Sequence, residues 1–457
     1  MSDGATEPSP GKAAEAFSRG TFVGGLPWAY AAGSGVRPSD HRIGMSLRPK
    51  KVLHVLNGAG GGAALSTLAL IEAFQKLGIE ACAVCHDAGS PGERQRLHDA
   101  TRGAVVFTPL YWWNRKIRAA LWKRPLIELR QLIRTGWMRR STEQVARFAD
   151  EQQIDLIHTN TILTPEGGLA AQRLGLPHVW HLREMLGPSR PFRLSMQGSK
   201  LREYLERHAS LVVANSHIAA ATAGDAIAPE MLRIVPNGID LRAFTPRGNT
   251  PAVGRRRVVA MVGAVTSRWK KHALFIEAAA QVVCGPDVEF RIYGHDPLVE
   301  GGGAGDPYAQ QIHALAARFF GSYDRFRFCG HVANPVRIMS EIDILVHPAD
   351  HESFGRVAVE AMAAGLPVIG VREGGIAEIV VDGVTGLLAA PNDSNDLALK
   401  LECLIDAPDL CARFGAAGRA RAESHYSIEA CANGVLRAYE EAMQRPVGSP
   451  RHGARRQ

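Results

Sequence analysis

Short apolar, β-branched runs alternate with amphipathic stretches along most of this 457-residue chain. Lys51 to Leu56 reads as a buried strand. The glycine-rich run Asn57-Gly58-Ala59-Gly60-Gly61-Gly62 follows, and Leu65 to Leu77 carries apolar residues at helical spacing up to Gly78. Further strands are expected at Ala81 to Val84, Ala104 to Phe107, Ile154 to His158, His178 to His181 and Leu211 to Asn215, with a helix over Gly168 to Leu174. The cluster Val235-Pro236-Asn237-Gly238-Ile239-Asp240 then interrupts the pattern as a turn-rich linker. A second series of strands is expected at Val258 to Val262, Phe290 to Tyr293, Phe326 to Phe328, Ile344 to Val346 and Val368 to Ile369, with helices between them. Ser427 to Met443 reads as a last amphipathic helix. Two βα series joined by a linker predict two doubly wound α/β domains facing each other across a cleft.

Bulk numbers agree with two domains, because the chain is too long for one ordinary core. Hydrophobic content of 46% and charged content of 21% are those of a globular protein. No uncharged apolar stretch reaches 18 residues, so no transmembrane helix is expected. The first 46 residues lack an apolar leader core and are rich in Gly, Pro, Ser and Ala, so they read as a disordered extension. The basic tail from Pro446 to Gln457 reads the same way. Seven scattered cysteines fit a reducing, cytoplasmic location. Cys82-Ala83-Val84-Cys85-His86 has the form of a haem attachment site, but its alternation is that of a buried strand.

The net charge of +8 is concentrated. Between Tyr111 and Arg140, nine Lys and Arg residues face Glu128 alone, with Tyr111, Trp112, Trp113, Trp122 and Trp137 interleaved. Such a segment suits the inner face of an anionic membrane, or packs as a solvated basic helix pair. No nucleic-acid motif accompanies it.

The sharpest chemical signal is Glu352 and Glu360, eight residues apart in His351-Glu352-Ser353-Phe354-Gly355-Arg356-Val357-Ala358-Val359-Glu360-Ala361-Met362-Ala363-Ala364-Gly365-Leu366-Pro367. A helix over Val357 to Ala364 places Glu352 in the loop after a strand and Glu360 about two turns into the helix. That edge of an α/β sheet is where ligands bind. Carboxylates there accept hydrogen bonds from sugar hydroxyls, and helix-start amides hold phosphate.

This segment resembles the signature of the retaining glycosyltransferases of family 4, or group 1, which have the two-domain GT-B fold. The resemblance spans roughly residues 50 to 445. It implies a first, acceptor-side domain over 47–235, a nucleotide-sugar domain over 241–425, and a helix over 426–445 crossing back to the first domain. It implies that Glu352 faces the donor sugar and Glu360 the ribose, with Ser353, Phe354 and Gly355 completing that loop. Lys270 aligns with a family lysine that neutralises the leaving diphosphate. The family's arginine is absent, since Ala264 stands there, and Arg268 is offered in its place. Gly374 and Gly375 would turn backbone amides to the donor. His181, at a strand end, would lie near the transferred sugar, with Gly60, Gly61, Gly62 and Asn160 lining the cleft and His158 a weaker candidate. Asn237 and Asp240 would serve as hinge and cap.

The expected activity is transfer of a sugar from a nucleotide-diphosphate sugar to a glycan or lipid-linked acceptor in cell-envelope glycan synthesis. No Asp-x-Asp metal motif stands in the cleft segments, so neither cofactor nor obligatory metal is expected. Two other readings exist. Gly58-x-Gly60-x-x-Ala63, with Asp87 after the second strand, also fits a nicotinamide oxidoreductase. The basic segment and the missing arginine also fit a non-catalytic membrane-associated partner protein.

Overall fold

The computed structural model describes residues 48–445 and 447, except 88, 114–123, 188–193, 195, 247–254, 283–286, 302–305 and 322–323. The N-terminal extension and nearly all of the basic tail therefore lie outside the described residues. So do residues 114–123 of the basic segment and the side chains of 124–135.

The first sheet has seven parallel strands: β1 (Lys51–Leu56), β2 (Glu80–His86), β3 (Val105–Thr108), β4 (Leu156–Thr159), β5 (His178–Leu182), β6 (Leu211–Ala214) and β7 (Leu232–Ile234). Their order is β3-β2-β1-β4-β5-β6-β7. The second sheet has six: β8 (Arg257–Val262), β9 (Val288–Tyr293), β10 (Phe326–Phe328), β11 (Ile344–His347), β12 (Val368–Val371) and β13 (Gly386–Ala389). Their order is β10-β9-β8-β11-β12-β13. Both sheets thus reverse winding direction once, between β1 and β4 and between β8 and β11. A crevice opens at the carboxyl ends of the strands flanking such a switch point. The chain is α/β with the GT-B architecture of two doubly wound Rossmann-like domains.

Continuous apolar runs explain the strands. Leu53, Val55, Ile157, Val259, Leu345 and Ile369 are wholly buried, as parallel strands covered on both faces require. Cys82 and Cys85 are buried in β2, away from any haem-like exposure.

The final helix, Ile428–Met443, packs on the first domain. Val435, Ala438 and Tyr439 share one core with Leu70, Phe74, Val179 and Val213, and each large side chain buried there contributes roughly 1.5–3 kcal/mol. The linker is pinned at the same place. Ile239 pairs with Ser427, and a Cβ on Gly238 would lie 2.6 Å from the Ser427 carbonyl oxygen. Asp240 caps the turn Leu241–Ala243 through the Arg242 amide at 3.1 Å. β7 and β13 were not among the expected strands. Leu232–Ile234 is three residues long, and Gly386–Ala389 opens with the glycine that normally signals a break.

Candidate functional site

The second domain's switch point brings two loops together. β8 runs into Gly263 and then the turn Arg268–Lys270, while β11 runs into the loop holding Glu352. Lys271 takes a left-handed conformation (φ +61°) before helix His272–Gln281. Lys270 Nζ reaches Glu352 Oε2 at 2.5 Å. A Cβ on Gly263 would come within 3.1 Å of the Lys270 stem, so glycine leaves room for the lysine to lie across the loop. Burial pushes the Glu352 carboxyl up, but Lys270 and His347 more than reverse this and hold it below its ordinary value. His347 lies 4.0 Å away, held neutral because burial, then Lys270, lowers it to about 4. Lys271 pairs with Asp350 at 2.8 Å and donates to Asn392 at 2.8 Å.

Gly374 and Gly375 pack directly on the Glu352 loop. A Cβ on Gly375 would sit 2.4 Å from the Ser353 carbonyl oxygen, and one on Gly374 would sit 2.9 Å from that of Glu352. Gly374 also has φ +72°, which glycine alone adopts without strain. The Gly375 amide donates to the Glu352 carbonyl at 2.8 Å, so it supports that loop instead of pointing at a ligand. Phe354 is buried against Tyr426 in the domain core, and Gly355 takes φ +97° to start the next helix. Ser353 faces the first domain. Its hydroxyl donates to the Arg183 carbonyl at 2.5 Å, and its carbonyl accepts from Ser216 Oγ at 2.5 Å. The Glu352 side chain stays partly accessible, 23% exposed, beside Lys270.

Glu360 lies in helix Arg356–Ala363 and is 3% exposed. Burial raises its carboxyl above the ordinary value, against the pull of Arg356, whose Nε sits 2.8 Å from Oε1.

Arg268 departs from expectation. It is exposed and its guanidinium lies over the Tyr308 ring, 4.5 Å from the centroid. The short 3-10 turn rotates it away from Lys270, two residues on.

His181 departs as well. β5 extends through Leu182, and strand alternation turns His181 inward, where it is wholly buried. There it stacks on His158, which bonds the Tyr439 hydroxyl at 2.5 Å. Burial keeps both histidines neutral. Asn160 is also buried, accepting from Thr67 at 2.9 Å and so tying helix Gly61–Lys76 to β4. Gly61 and Gly62 belong to that helix's first turn, and only Gly60 is tightly confined. Its Cβ would lie 2.3 Å from Glu93 Oε1. Asp87, the acidic residue a dinucleotide site requires, is engaged by Arg94 at 2.7 Å.

Two further residues join the domains. Arg183, just past β5, is buried, donates from Nη1 to Asn237 in the linker and from Nη2 to His181 at 3.3 Å. Burial lowers its guanidinium to about 10. Glu378 accepts from the His217 and Ile218 amides at 2.9 and 2.6 Å, capping a first-domain helix from the second domain. Nothing local in the sequence marks either one. Arg183 follows a strand, and Glu378 sits in a four-residue helix.

A family model described as Glycosyltransferase Family 4 matches residues 60–243, and one described as Glycosyl transferases group 1 matches residues 246–421. A D-inositol 3-phosphate glycosyltransferase of Thermobifida fusca is 30% identical over 312 residues, covering 63% of this chain and 70% of that protein. Another, of Stackebrandtia nassauensis, is 28% identical over 320 residues, covering 65% and 70%. Among solved structures, Anabaena HepE in complex with UDP and glucose superposes with a TM-score of 0.66 at 25% identity, covering 85% of this chain and 98% of that one. Sucrose-phosphate synthase of Thermosynechococcus elongatus shares the fold, with a TM-score of 0.64 at 21% identity over 85% of this chain and 98% of that one. The chain therefore belongs to the group 1, family 4 glycosyltransferases, and is a glycosyltransferase enzyme. The oxidoreductase and non-catalytic readings are not favoured.

Proposed function

We propose that this enzyme transfers a sugar, with retention at the anomeric carbon, from a nucleotide-diphosphate sugar to a glycan or lipid-linked acceptor in envelope glycan synthesis. The Lys270–Glu352 pair at 2.5 Å, on adjoining loops of the second domain's switch point, carries this reading. Bond breaking at the sugar builds negative charge on the departing diphosphate, and a fixed cation beside it lowers the barrier. Lys270 supplies that cation. Glu352 orients the sugar and Glu360 the ribose, which is positional catalysis. Helix Arg356–Ala363 starts four residues after Glu352, and amides of its first turn would serve the diphosphate. The leaving phosphate takes the acceptor proton, and no metal is required.

The lipid-linked acceptor rests on the segment over 111–140. Trp137 is 63% exposed, and Arg139 and Arg140 beside it are exposed too. No described helix is long and apolar enough to cross a membrane, so contact would be at the surface.

The test is a thermal-shift panel of UDP-, GDP- and ADP-sugars followed by diphosphate release in EDTA. One donor is expected to raise the melting temperature and to be turned over in the presence of lipid extract. A flat panel refutes the reading. Turnover that EDTA abolishes refutes its metal-free form, and absence of flotation with anionic vesicles refutes the membrane arm.

A further inference from the structure

The family's missing arginine leaves a charge deficit. A diphosphate leaving group carries more than one negative charge, and Lys270 already balances Glu352 at 2.5 Å. Arg268 lies over Tyr308, and Lys271 is held by Asp350 at 2.8 Å. In the loop after β8, then, both lysines are ion-paired and Arg268 rests on an aromatic ring.

One stands on the opposite loop. Arg356 is the first residue of helix Arg356–Ala363, four residues from Glu352 and one turn before Glu360. Its Nε contacts Glu360 Oε1 at 2.8 Å, and its Nη1 donates to Ser66 Oγ at 3.3 Å. Ser66 belongs to helix Gly61–Lys76, which the first domain's glycine loop opens. The guanidinium thus bridges the two domains at the cleft, between the glycine loop and the proposed ribose carboxylate. Its side chain is 18% exposed, so it is reachable from the cleft. Arg183 lies within electrostatic range from the first-domain side, and Arg356 adds to the lowering of its guanidinium. Among the described residues no carboxylate lies within ion-pair distance of Arg183. The seam therefore brings together two arginines, one from each domain: Arg356 is paired with Glu360, and Glu184 acts on Arg183 from the next position in the chain.

We infer that Arg356 is the second diphosphate-binding cation of this enzyme, standing in for the arginine absent at Ala264. Without donor, Glu360 holds it. A ribose diol bonding to Glu360 competes for the oxygen that Arg356 contacts, and the guanidinium turns to the phosphates beside it. Planar paired donors suit phosphate oxygens better than a lysine would. This rests on the donor-binding reading above and adds which residue carries the charge.

The test measures binding of UDP, GDP and ADP, each against its own nucleoside, to the full chain. The quantity read is the ratio of diphosphate to nucleoside affinity for whichever base binds. Arg356→Gln is expected to shrink that ratio by about 10- to 100-fold, the range of a charge-assisted hydrogen bond. Arg356→Lys should restore part of it. Glu360→Gln, which removes the competing carboxylate while keeping the cation, should weaken the nucleoside yet raise the ratio. This second arm decides the matter should Arg356→Gln fail to fold. An unchanged ratio in either variant overturns the inference, as does an equal loss of nucleoside and diphosphate in Arg356→Gln. Absence of diphosphate binding by the unmodified protein overturns the donor reading itself, which is a separable result.

Discussion

Replacing Lys270 by methionine removes the cation beside Glu352 while keeping most of the stem's bulk. The two charged atoms are 2.5 Å apart. At an effective dielectric near 20 their gross attraction is ~6–7 kcal/mol. Side-chain exposures of 18% and 23% mean that solvent screens part of this and that desolvation was incomplete. Breaking one side of such a partly buried pair should therefore cost ~2–3 kcal/mol, below the 3–5 typical of full burial. With roughly 400 residues in the two domains and ~2 cal/mol/K of unfolding entropy each, that is a fall of ~3 °C in melting temperature.

The pH dependence is sharper still. Without Lys270, the burial that already pushes Glu352 upward has less opposing it, so the carboxyl rises. A carboxyl raised in the folded state loses stability as pH rises through its unfolded value. The Lys270→Met deficit should accordingly be largest near neutrality and fade toward pH 5. Glu352→Gln alone strands Lys270, and the double variant should lose clearly less than the two singles together. Thermal unfolding of the four proteins at two pH values measures this. Strict additivity, or a deficit independent of pH, would refute the coupling and with it the electrostatic account of the site.

Gly375→Ala would place a Cβ 2.4 Å from the Ser353 carbonyl oxygen and 2.6 Å from Phe354 Cα, both backbone atoms that cannot rotate away. Destabilisation of ~1–3 kcal/mol with a loss of turnover near 100-fold is expected, because the Glu352 loop must shift; wild-type kinetics in the variant would contradict the packing argument. Glu166 is buried, and burial raises its carboxyl to about 7 despite hydrogen bonds from the Tyr111 amide and Ser141. The folded state holds that proton between about pH 4.5 and 7, so this group withdraws stability as pH rises through the window, on the order of 3 kcal/mol. Glu166→Gln should flatten that part of the stability profile, and an identical slope in both proteins would count against it.

Eleven of the thirteen described strands were legible because parallel strands covered on two faces leave continuous apolar runs between turn residues. That Lys270 and Glu352 come from segments ending at one sheet edge was legible, because motif spacing survives without tertiary context. What was hidden depends on direction instead of order. Phe354 and Ser353 share a loop with Glu352, yet one enters the core and the other faces the first domain, a difference only packing decides. His181 stacks on His158, and it is His158 that meets Tyr439 of the final helix, a contact between residues more than 250 apart in the chain. Arg268 carries the right charge at the right distance along the chain, but the 3-10 turn aims it at Tyr308.

The seam between domains bears on catalysis through the same loop. Ser353 follows Glu352 directly and is bonded to Arg183 and Ser216 of the first domain. Gly375, whose amide holds the Glu352 carbonyl, precedes helix Ile376–Ile379, and Glu378 within it caps the first-domain helix at His217. The backbone around Glu352 is thus fixed from both domains at once. Any hinge motion at the linker must strain or release these bonds before the cleft can change shape. Because Arg183 also bonds Asn237 in that linker, the linker, the seam and the Glu352 loop are tied together by one chain of hydrogen bonds.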